Sequence, residues 1–236
     1  MQTDRLIIYT DGSSLGNPGP GGYGAVIVSP KLDEVVELGG GKPQTTNNEM
    51  EMTAVVAALS YSAMNTMPIT LYTDSKFVIN GITKWVHNWR TNGWLTASKQ
   101  PVTHRLLWEQ MISLVEARGT AGAVTWQYVP GHQGVPGNER VDDIAQAFAA
   151  GTPPDLYRGH LPGYTLPILE EPTVFKKDSP SAGYPKYLSL VDGVLKEHAT
   201  WSECEERVKG KPARYKKVKN KSEEKQTLTS WGIMES

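Results

Sequence analysis

Apolar residues follow two different periods along the first 150 residues. Short apolar and β-branched runs predict five strands, at Arg5–Thr10, Tyr23–Val28, Val35–Leu38, Ile69–Thr73 and Val124–Val129. Helical spacing predicts helices from a capping Thr46, from Ser75, over Thr83–Arg90 and Thr103–Arg118, and from a capping Asn138 to about Ala150. Glycine and proline predict a turn over Gly12–Gly22 and a strand end at Gly39–Gly41. This order predicts an α/β domain with a five-stranded mixed sheet.

The pattern changes after residue 150. Residues 151–185 are rich in proline and keep no period, which predicts a partly extended linker. A second unit follows, with a hairpin turning at Asp192–Gly193 and a strand over Ala213–Val218. Between them we predict a helix over Thr200–Val208, capped by Thr200 with Glu203. We therefore expect a domain at 1–150, a linker at 151–185 and a small α+β module at 186–236.

Composition narrows the class of protein only slightly. The chain has 236 residues and a formal net charge of −1, so overall charge indicates no partner. Its single cysteine, Cys204, excludes a disulfide framework and favours a reducing compartment. The N-terminus lacks a signal-peptide pattern, and no apolar run has the length of a membrane span. We expect a soluble, cytoplasmic protein that does not contact the membrane and needs no obligate protein partner.

Four carboxylates stand where an α/β sheet brings side chains together. Asp11 and Asp74 end strands, Glu51 lies early in a long helix, and Asp142 lies early in the last helix of the domain. Taken singly, each fits a turn, cap or helix-dipole position equally well. Four converging acids would repel one another unless divalent cations neutralised them, and two Mg²⁺ ions about 3.5–4 Å apart suit phosphodiester hydrolysis.

The residues around these acids form long motifs in a fixed order. They are Tyr9-Thr10-Asp11-Gly12-Ser13, Gly16-Asn17-Pro18-Gly19-Pro20-Gly21-Gly22, Thr45-Thr46-Asn47-Asn48-Glu49-Met50-Glu51, Thr73-Asp74-Ser75, Pro130-Gly131-His132 and Gly137-Asn138-Glu139-Arg140-Val141-Asp142. In order and spacing they resemble ribonuclease H type 1 across residues 1–150. The resemblance implies a five-stranded mixed sheet with helices on both faces. It also implies an endoribonuclease that cuts the RNA strand of RNA–DNA hybrids, leaving 5′-phosphate and 3′-hydroxyl ends.

The resemblance assigns roles to residues of this chain. Asp11, Glu51, Asp74 and Asp142 match the family's catalytic acids, which implies two Mg²⁺ ions, or Mn²⁺, as cofactor. His132 matches a loop histidine that assists proton transfer or product release, although a plain loop hydrogen bond is the alternative. The positions that contact the RNA strand match Gly12, Asn17, Asn47 and Asn48, where only the 2′-hydroxyl distinguishes RNA from DNA. Thr46 resembles the family's DNA-phosphate contact, with helix capping as the alternative, and Trp85 is the candidate to stack on the DNA strand. His104 stands where family members often carry an asparagine for the DNA phosphate.

The C-terminal unit carries a second resemblance. Thr200-Trp201-Ser202-Glu203-Cys204, Val208-x-Gly210 and Ala213-Arg214-Tyr215-Lys216-Lys217-Val218 resemble the small hybrid-binding module of eukaryotic ribonucleases H. Trp201, Tyr215, Arg214, Lys216 and Lys217 suit a surface that stacks on bases and binds phosphates. Such a surface would bind RNA–DNA hybrid, with double-stranded RNA as a further expected ligand. The alternatives are a solvated basic tail and aromatic residues that only form a small core.

Two other functions compete with hybrid cleavage. One is a hybrid- or duplex-binding protein whose nuclease domain is an inactive scaffold, but the intact set of four acids argues against it. The other is a DNA-strand-transferring recombinase on the same fold. Recombinases of that kind share three acids but lack the Asn47–Asn48 pair before Glu51 and the His132 loop.

Overall fold

The computed structural model describes residues 4–169, 185–218 and 221–233. The chain divides into two compact units, residues 1–173 and 174–236. Within the described residues, no helix is long and apolar enough to cross a membrane. Each unit has a sheet of its own.

The sheet of the first unit has six strands in the order β5-β4-β1-β2-β3-β6. Their bounds are β1 Leu6–Ser14, β2 Gly19–Ser29, β3 Glu34–Thr45, β4 Ile69–Thr73, β5 Val124–Tyr128 and β6 Arg158–His160. β1, β2 and β3 form an antiparallel meander, β4 and β5 run parallel to β1, and β6 is antiparallel to β3. The predicted mixed sheet is confirmed, with six strands rather than five because residues beyond 150 add the edge strand.

Helices cover both faces of this sheet. They are α1 Asn47–Tyr61, α2 Lys76–Asn80, α3 Val86–Thr91, α4 Arg105–Ala117 and α5 Pro136–Ala149, and a π-helical turn at Gly81–Trp85 joins α2 to α3. Thr46 caps α1 by accepting a hydrogen bond from the Glu49 amide at 3.3 Å, as predicted. The prediction that Asn138 caps the last helix is wrong. That helix already begins at Pro136, because proline is favoured in the first helical turn.

Side chains of the central strands alternate between two cores. Leu6 and Ile8 pack with the α1 and α4 side chains on one face, and Ile7 and Tyr9 pack with α5 on the other. Trp108 of α4 is completely buried in the first core. Because both faces are covered, the central strands read as continuous apolar runs rather than as alternating ones.

Most of the glycine-rich residues lie in strands, and the predicted turn over Gly12–Gly22 is confined to residues 15–18. β1 runs on to Ser14, β2 begins at Gly19, and β3 continues through Gly39–Gly41 to Thr45. A Cβ atom at Gly22 or Gly24 would lie 2.4 Å from a backbone carbonyl oxygen of α5. These glycines therefore let α5 lie directly on the sheet, which is a packing requirement and not a turn signal.

The predicted linker at 151–185 is wrong for the segment at 158–163. Arg158–His160 forms β6, and a 3₁₀ turn follows at Leu161–Gly163. Leu156, Tyr157, Leu161 and Tyr164 pack against the α5 side of the sheet, where Ile168 is almost fully buried. Residues 170–184 lie outside the described residues, so the rest of the predicted linker stays a prediction.

The second unit is a three-stranded antiparallel sheet in the order β8-β7-β9. Its elements are β7 Lys186–Val191, β8 Val194–His198, α6 Trp201–Val208, β9 Ala213–Val218 and α7 Lys221–Ser230. The predicted hairpin is present, with Asp192 and Gly193 both at positive φ as a tight two-residue turn requires. Thr200 and Glu203 form the predicted capping box of α6, and Cys204 is buried.

Candidate active site

Three of the four predicted acids meet at one edge of the first sheet. Asp11, Glu51 and Asp74 each place a carboxylate oxygen within 4.8 Å of the others. Asp11 is 7% exposed, and the other two are partly buried. An oxygen-only set of this kind can hold a divalent cation such as Mg²⁺.

The register of the sheet explains why these acids converge. β1 and β4 are parallel neighbours with Tyr9 opposite Tyr72, so Asp11 and Asp74 follow at the same end of adjacent strands. Glu51 comes from α1, which passes very close to β1. A Cβ atom at Gly12 would lie 2.1 Å from the Glu51 amide nitrogen, so only glycine permits this approach. Gly12 thus has a packing role here, and its predicted sugar contact stays a prediction.

The acids destabilise one another's charged forms. Burial raises the pKa of Asp11 to about 8, and the neighbouring charges of Asp74, Asp142 and Glu51 add to the shift. Burial also raises the pKa of Glu51 to about 7, against a lowering by its hydrogen bond from Ser75. The pKa of Asp74 is raised by burial and by Asp142, against a hydrogen bond from Asn138. A cation bound among these oxygens would relieve this repulsion.

Neighbouring side chains orient the carboxylates. The Ser75 hydroxyl donates a short hydrogen bond to Glu51 Oε2, and Asn47 Nδ2 donates to Glu51 Oε1 at 3.1 Å. The Asn138 side chain lies near Asp74 and lowers the pKa of that carboxyl. Ser75 and Asn138 were not among the predicted site residues. Their signal in the sequence is adjacency alone, since Ser75 follows Asp74 and Asn138 stands four residues before Asp142.

Asp142 lies beside the three-acid cluster but outside the 4.8 Å set. Its Oδ2 is 3.5 Å from His132 Nδ1, and its Oδ1 accepts a hydrogen bond from Gln146 Nε2 at 2.6 Å. His132 is 80% exposed and has a left-handed backbone with φ of 53°. The predicted convergence therefore holds closely for three acids. Asp142 and the solvent-exposed His132 side chain lie at the rim of the cluster. Gln146, one helical turn after Asp142, is a further neighbour that the motifs did not indicate.

The residues predicted to contact the RNA strand lie next to the acids. Asn17 Oδ1 accepts a hydrogen bond from the Asn47 amide at 3.4 Å, which joins the β1–β2 loop to the start of α1. Asn47 in turn bonds Glu51, whereas Asn48 is exposed. A ligand that arrives from solvent can therefore contact the side-chain amide of Asn48.

The residues predicted to contact the DNA strand lie at two places. Thr46 caps α1, and the charge of His104 lowers the pKa of Glu49 in the first turn of that helix. Trp85 is 38% exposed and packs its ring against Phe77 and Trp89, with centroids 6.1 and 5.7 Å away. Its outer surface is open to solvent, and the predicted stacking on the DNA strand stays a prediction.

Strand alternation separates the predicted binding residues of the second unit. Tyr215 and Lys217 pair with Ser189 and Tyr187, on the face that carries Trp201. Arg214 and Lys216 pair with Leu190 and Leu188, and Leu188 belongs to the small core on the other face. The expectation of one surface holding all three cations is therefore wrong, because neighbouring residues of a strand point to opposite faces.

Tyr187 completes an aromatic row that the motifs did not reveal. Its ring centroid is 5.6 Å from that of Trp201, which is 5.4 Å from Tyr215. The Lys217 ammonium lies 5.4 Å from the Tyr187 ring centroid, in cation–π contact. We call Tyr187, Trp201, Tyr215 and Lys217 the aromatic face.

Comparison with known proteins decides the family of the first unit. A family model described as RNase H matches residues 3–150. The chain belongs to the ribonuclease H family. A ribonuclease H of Cyanothece sp. is 49% identical over 157 residues, which cover 66% of this chain and 96% of that protein. The ribonuclease HI of Pseudomonas aeruginosa strain PAO1 is 45% identical over 150 residues, or 64% and 97% of the two chains.

A solved structure agrees with this placement. LC9-RNase H1, described as a type 1 RNase H with the type 2 active-site motif, superposes with a TM-score of 0.54 at 29% identity. The superposition covers 67% of this chain and 79% of that one. The predicted fold class and the predicted enzyme class, a ribonuclease H, are confirmed. The family match ends at residue 150 and does not reach the second unit.

Proposed function

We propose that this ribonuclease H hydrolyses the RNA strand of RNA–DNA hybrids, with divalent cations held by Asp11, Glu51 and Asp74. The observation that carries the proposal is the convergence of these three carboxylates within 4.8 Å, in a chain of the ribonuclease H family. The products are a 5′-phosphate and a 3′-hydroxyl. Asp142 is the proposed fourth ligand, at the open side of the cluster.

The donor set fits hard cations. All the donors are carboxylate oxygens, which suit Mg²⁺ and also Mn²⁺, and the raised pKa values of Asp11 and Glu51 show how strongly the site favours added positive charge. Two bound ions would supply an activated water and stabilise the leaving oxygen. The chain's own part is to hold the acids rigidly, through Ser75, Asn47, Asn138 and Gln146.

The loop histidine is placed to move a proton. His132 is mostly exposed and reaches Asp142, so it can exchange protons with solvent beside the site. We assign it proton transfer or product release. A loop position with a solvent-exposed ring supports this role better than a fixed structural one.

Recognition of the two strands follows from the residues around the cluster. Gly12, Asn17, Asn47 and Asn48 are proposed to contact the RNA strand, where amide groups can both donate to and accept from a 2′-hydroxyl. Thr46 and His104 are proposed to bind a DNA phosphate, and Trp85 to stack on the DNA strand. The effect of the His104 charge on Glu49, whose amide donates to Thr46, supports a shared phosphate site with Thr46.

The second unit is proposed to bind hybrid, and double-stranded RNA as a secondary ligand, through the aromatic face. Trp201 and Tyr215 are 39% and 53% exposed, so their rings are open to solvent, and Lys217 supplies a cation beside them. Aromatic rings with adjacent basic residues bind nucleic acid by stacking and by phosphate contacts. Arg214 and Lys216 would contribute only long-range charge from the opposite face.

A cleavage assay tests the catalytic proposal. Wild-type protein and Asp11→Asn are compared on labelled RNA–DNA hybrid, duplex RNA and duplex DNA, with Mg²⁺ and with Mn²⁺. We expect metal-dependent cleavage of the hybrid alone, and its loss in Asp11→Asn with hybrid binding retained. Wild-type protein that binds hybrid but cuts nothing with either metal would instead favour the alternative, a hybrid-binding protein on an inactive nuclease scaffold.

A truncation tests the division of labour between the units. Removal of residues 186–236 should raise KM and weaken salt-sensitive hybrid binding while leaving kcat largely unchanged, because the three-acid cluster lies wholly in the first unit. Equal activity of full-length and truncated chains at all hybrid concentrations would refute a binding role for the second unit.

A further inference from the structure

The segment that follows the last catalytic-domain helix is built into the fold. We call residues 152–169 the strap. Its strand β6 pairs with β3, the Leu161 amide donates to the Asp33 carbonyl at 3.2 Å, and Ile168 is 2% exposed. The strap lies beyond the residues that the family model matches.

The strap encloses one buried carboxylate. The Glu37 side chain on β3 is 1% exposed. The strap gives it two hydrogen bonds, from the Tyr164 hydroxyl to Oε1 at 2.6 Å and from the Tyr157 amide to Oε2 at 2.9 Å. Arg140 of α5 donates the other two, from Nε and from Nη2, each at 2.7 Å. Through these hydrogen bonds Glu37 connects β3, the strap and α5.

The hydrogen bonds from Arg140 to Glu37 hold the first turns of α5, which carry Asp142 at the rim of the active site. The N-cap residue of α5, Val135, makes no side-chain capping bond. Arg140 stands between Asn138, whose side chain lowers the pKa of Asp74, and Asp142. A two-pronged guanidinium–carboxylate pair fixes both distance and orientation, which a single capping bond does not.

We infer that the strap, through Tyr164, Glu37 and Arg140, is a positioning element for Asp142 and Asn138. The inference rests on the proposed function, because it concerns the placement of a proposed metal ligand. Loss of the Tyr164 hydroxyl removes one hydrogen-bond donor to Glu37. The Glu37 carboxylate then holds the Arg140 guanidinium less firmly in position. The first turns of α5 then sample more positions, and metal is bound less tightly.

The neighbouring tyrosine provides a matched control. Tyr164→Phe removes the bond to Glu37, whereas Tyr157→Phe removes a hydroxyl that donates to the His160 carbonyl at 2.7 Å and leaves Glu37 untouched. The two rings lie 5.0 Å apart, so both substitutions alter the same strap core. Full-length wild-type and variant proteins are compared for Mg²⁺ binding by calorimetry, for the Mg²⁺ dependence of kcat at saturating hybrid, and for KM.

Tyr164→Phe should weaken Mg²⁺ binding and raise the Mg²⁺ concentration for half-maximal kcat by about threefold or more, less than the ~10–100-fold seen for direct partners of ligands. KM for hybrid should not change, and Tyr157→Phe should match wild type. Arg140→Lys, which keeps the charge but loses the fork, should shift Mg²⁺ binding in the same direction. Identical Mg²⁺ binding by both tyrosine variants would overturn the inference. Calorimetry compares Mg²⁺ binding by the variants even if the wild-type protein does not cleave hybrid. Failure of the wild type to cleave would count against the proposed function and not against this inference.

Discussion

Glu37 and Arg140, which lie 103 residues apart in the sequence, form a two-pronged ion pair with both hydrogen bonds at 2.7 Å. Burial would raise the pKa of Glu37, but hydrogen bonds from Arg140, Tyr157 and Tyr164 outweigh it and lower the pKa below 4.5. The pair is thus a stability element as well as a positioning one, since each partner would otherwise carry a poorly solvated charge.

The pair should make stability depend on pH in a definite direction. A lowered folded-state pKa contributes stability that is complete above the unfolded value of 4.5 and is lost as the pH falls through the folded value. Glu37→Gln should lower the free energy of unfolding at pH 7 by about 3 kcal/mol, the lower end for a broken buried pair. Denaturant unfolding from pH 7 to 3 should show the gap between wild type and variant shrinking.

Glu34→Gln, on the same strand, is the matched control for this measurement. Glu34 is only half-buried and is not part of the Arg140 cluster, so its variant should follow the wild-type pH curve. A gap between wild type and Glu37→Gln that stays constant from pH 7 to 3 would contradict the ionic origin of the stabilisation.

The acid cluster could be predicted because its members have local signatures. Asp11 and Asp74 each end an apolar strand, and Glu51 stands in a helix that begins with a clear cap at Thr46. Parallel pairing then brings the strand ends together. The long motifs around them fix the family, which spacing alone would not.

The errors came from signals that have two physical causes. Glycine at 22 and 39 predicts a turn and a strand end when read locally, but here it serves the close packing of α5 on the sheet. The strap was missed because β6 has only three residues, and its place is set by Glu37 and by Tyr164 rather than by a period. Contacts between residues so distant in sequence leave no local pattern.

Gln146 should tune the affinity of the site for metal. Its amide donates to Asp142 Oδ1 at 2.6 Å and so fixes the orientation of that carboxylate. Gln146→Met keeps the side-chain length and removes the donor, and should weaken Mg²⁺ binding about tenfold, as for other partners of metal ligands. Calorimetry and the Mg²⁺ dependence of cleavage measure the change.

Gln110→Met is the control for this substitution. Gln110 is exposed on α4, so its variant has the same chemical change away from the acids. Equal Mg²⁺ affinity in the two methionine variants would show that Asp142 needs no fixing by Gln146.

Replacement of Lys99 by glycine should stabilise the protein. Its backbone has φ of 59°, in the left-handed region that a side chain disfavours, and its side chain is exposed. Lys99→Gly should therefore raise the free energy of unfolding by about 0.5–1 kcal/mol, whereas Lys99→Ala should give no such gain because alanine keeps the Cβ. Thermal and denaturant unfolding of both variants measure it. Equal stability of the glycine and alanine variants would rule out backbone strain as the cause.

Lys217 and Lys216 offer the sharpest test of the second unit. They are adjacent, both exposed and equal in charge, but only Lys217 lies on the aromatic face, over the Tyr187 ring. If Lys217 contacts a phosphate, Lys217→Ala should weaken hybrid binding and reduce the slope of log affinity against log salt by about one. Lys216→Ala, on the opposite face, should leave that slope unchanged.

Fluorescence anisotropy with a labelled hybrid, measured from low to moderate salt, gives both slopes for the full-length chain. Asp11→Asn in the background of every variant prevents cleavage during the titration. A drop of equal size in both slopes would mean that charge alone attracts the hybrid. The aromatic face would then have no privileged role, because a stacking surface must distinguish a cation beside its rings from one on the far side of the same strand.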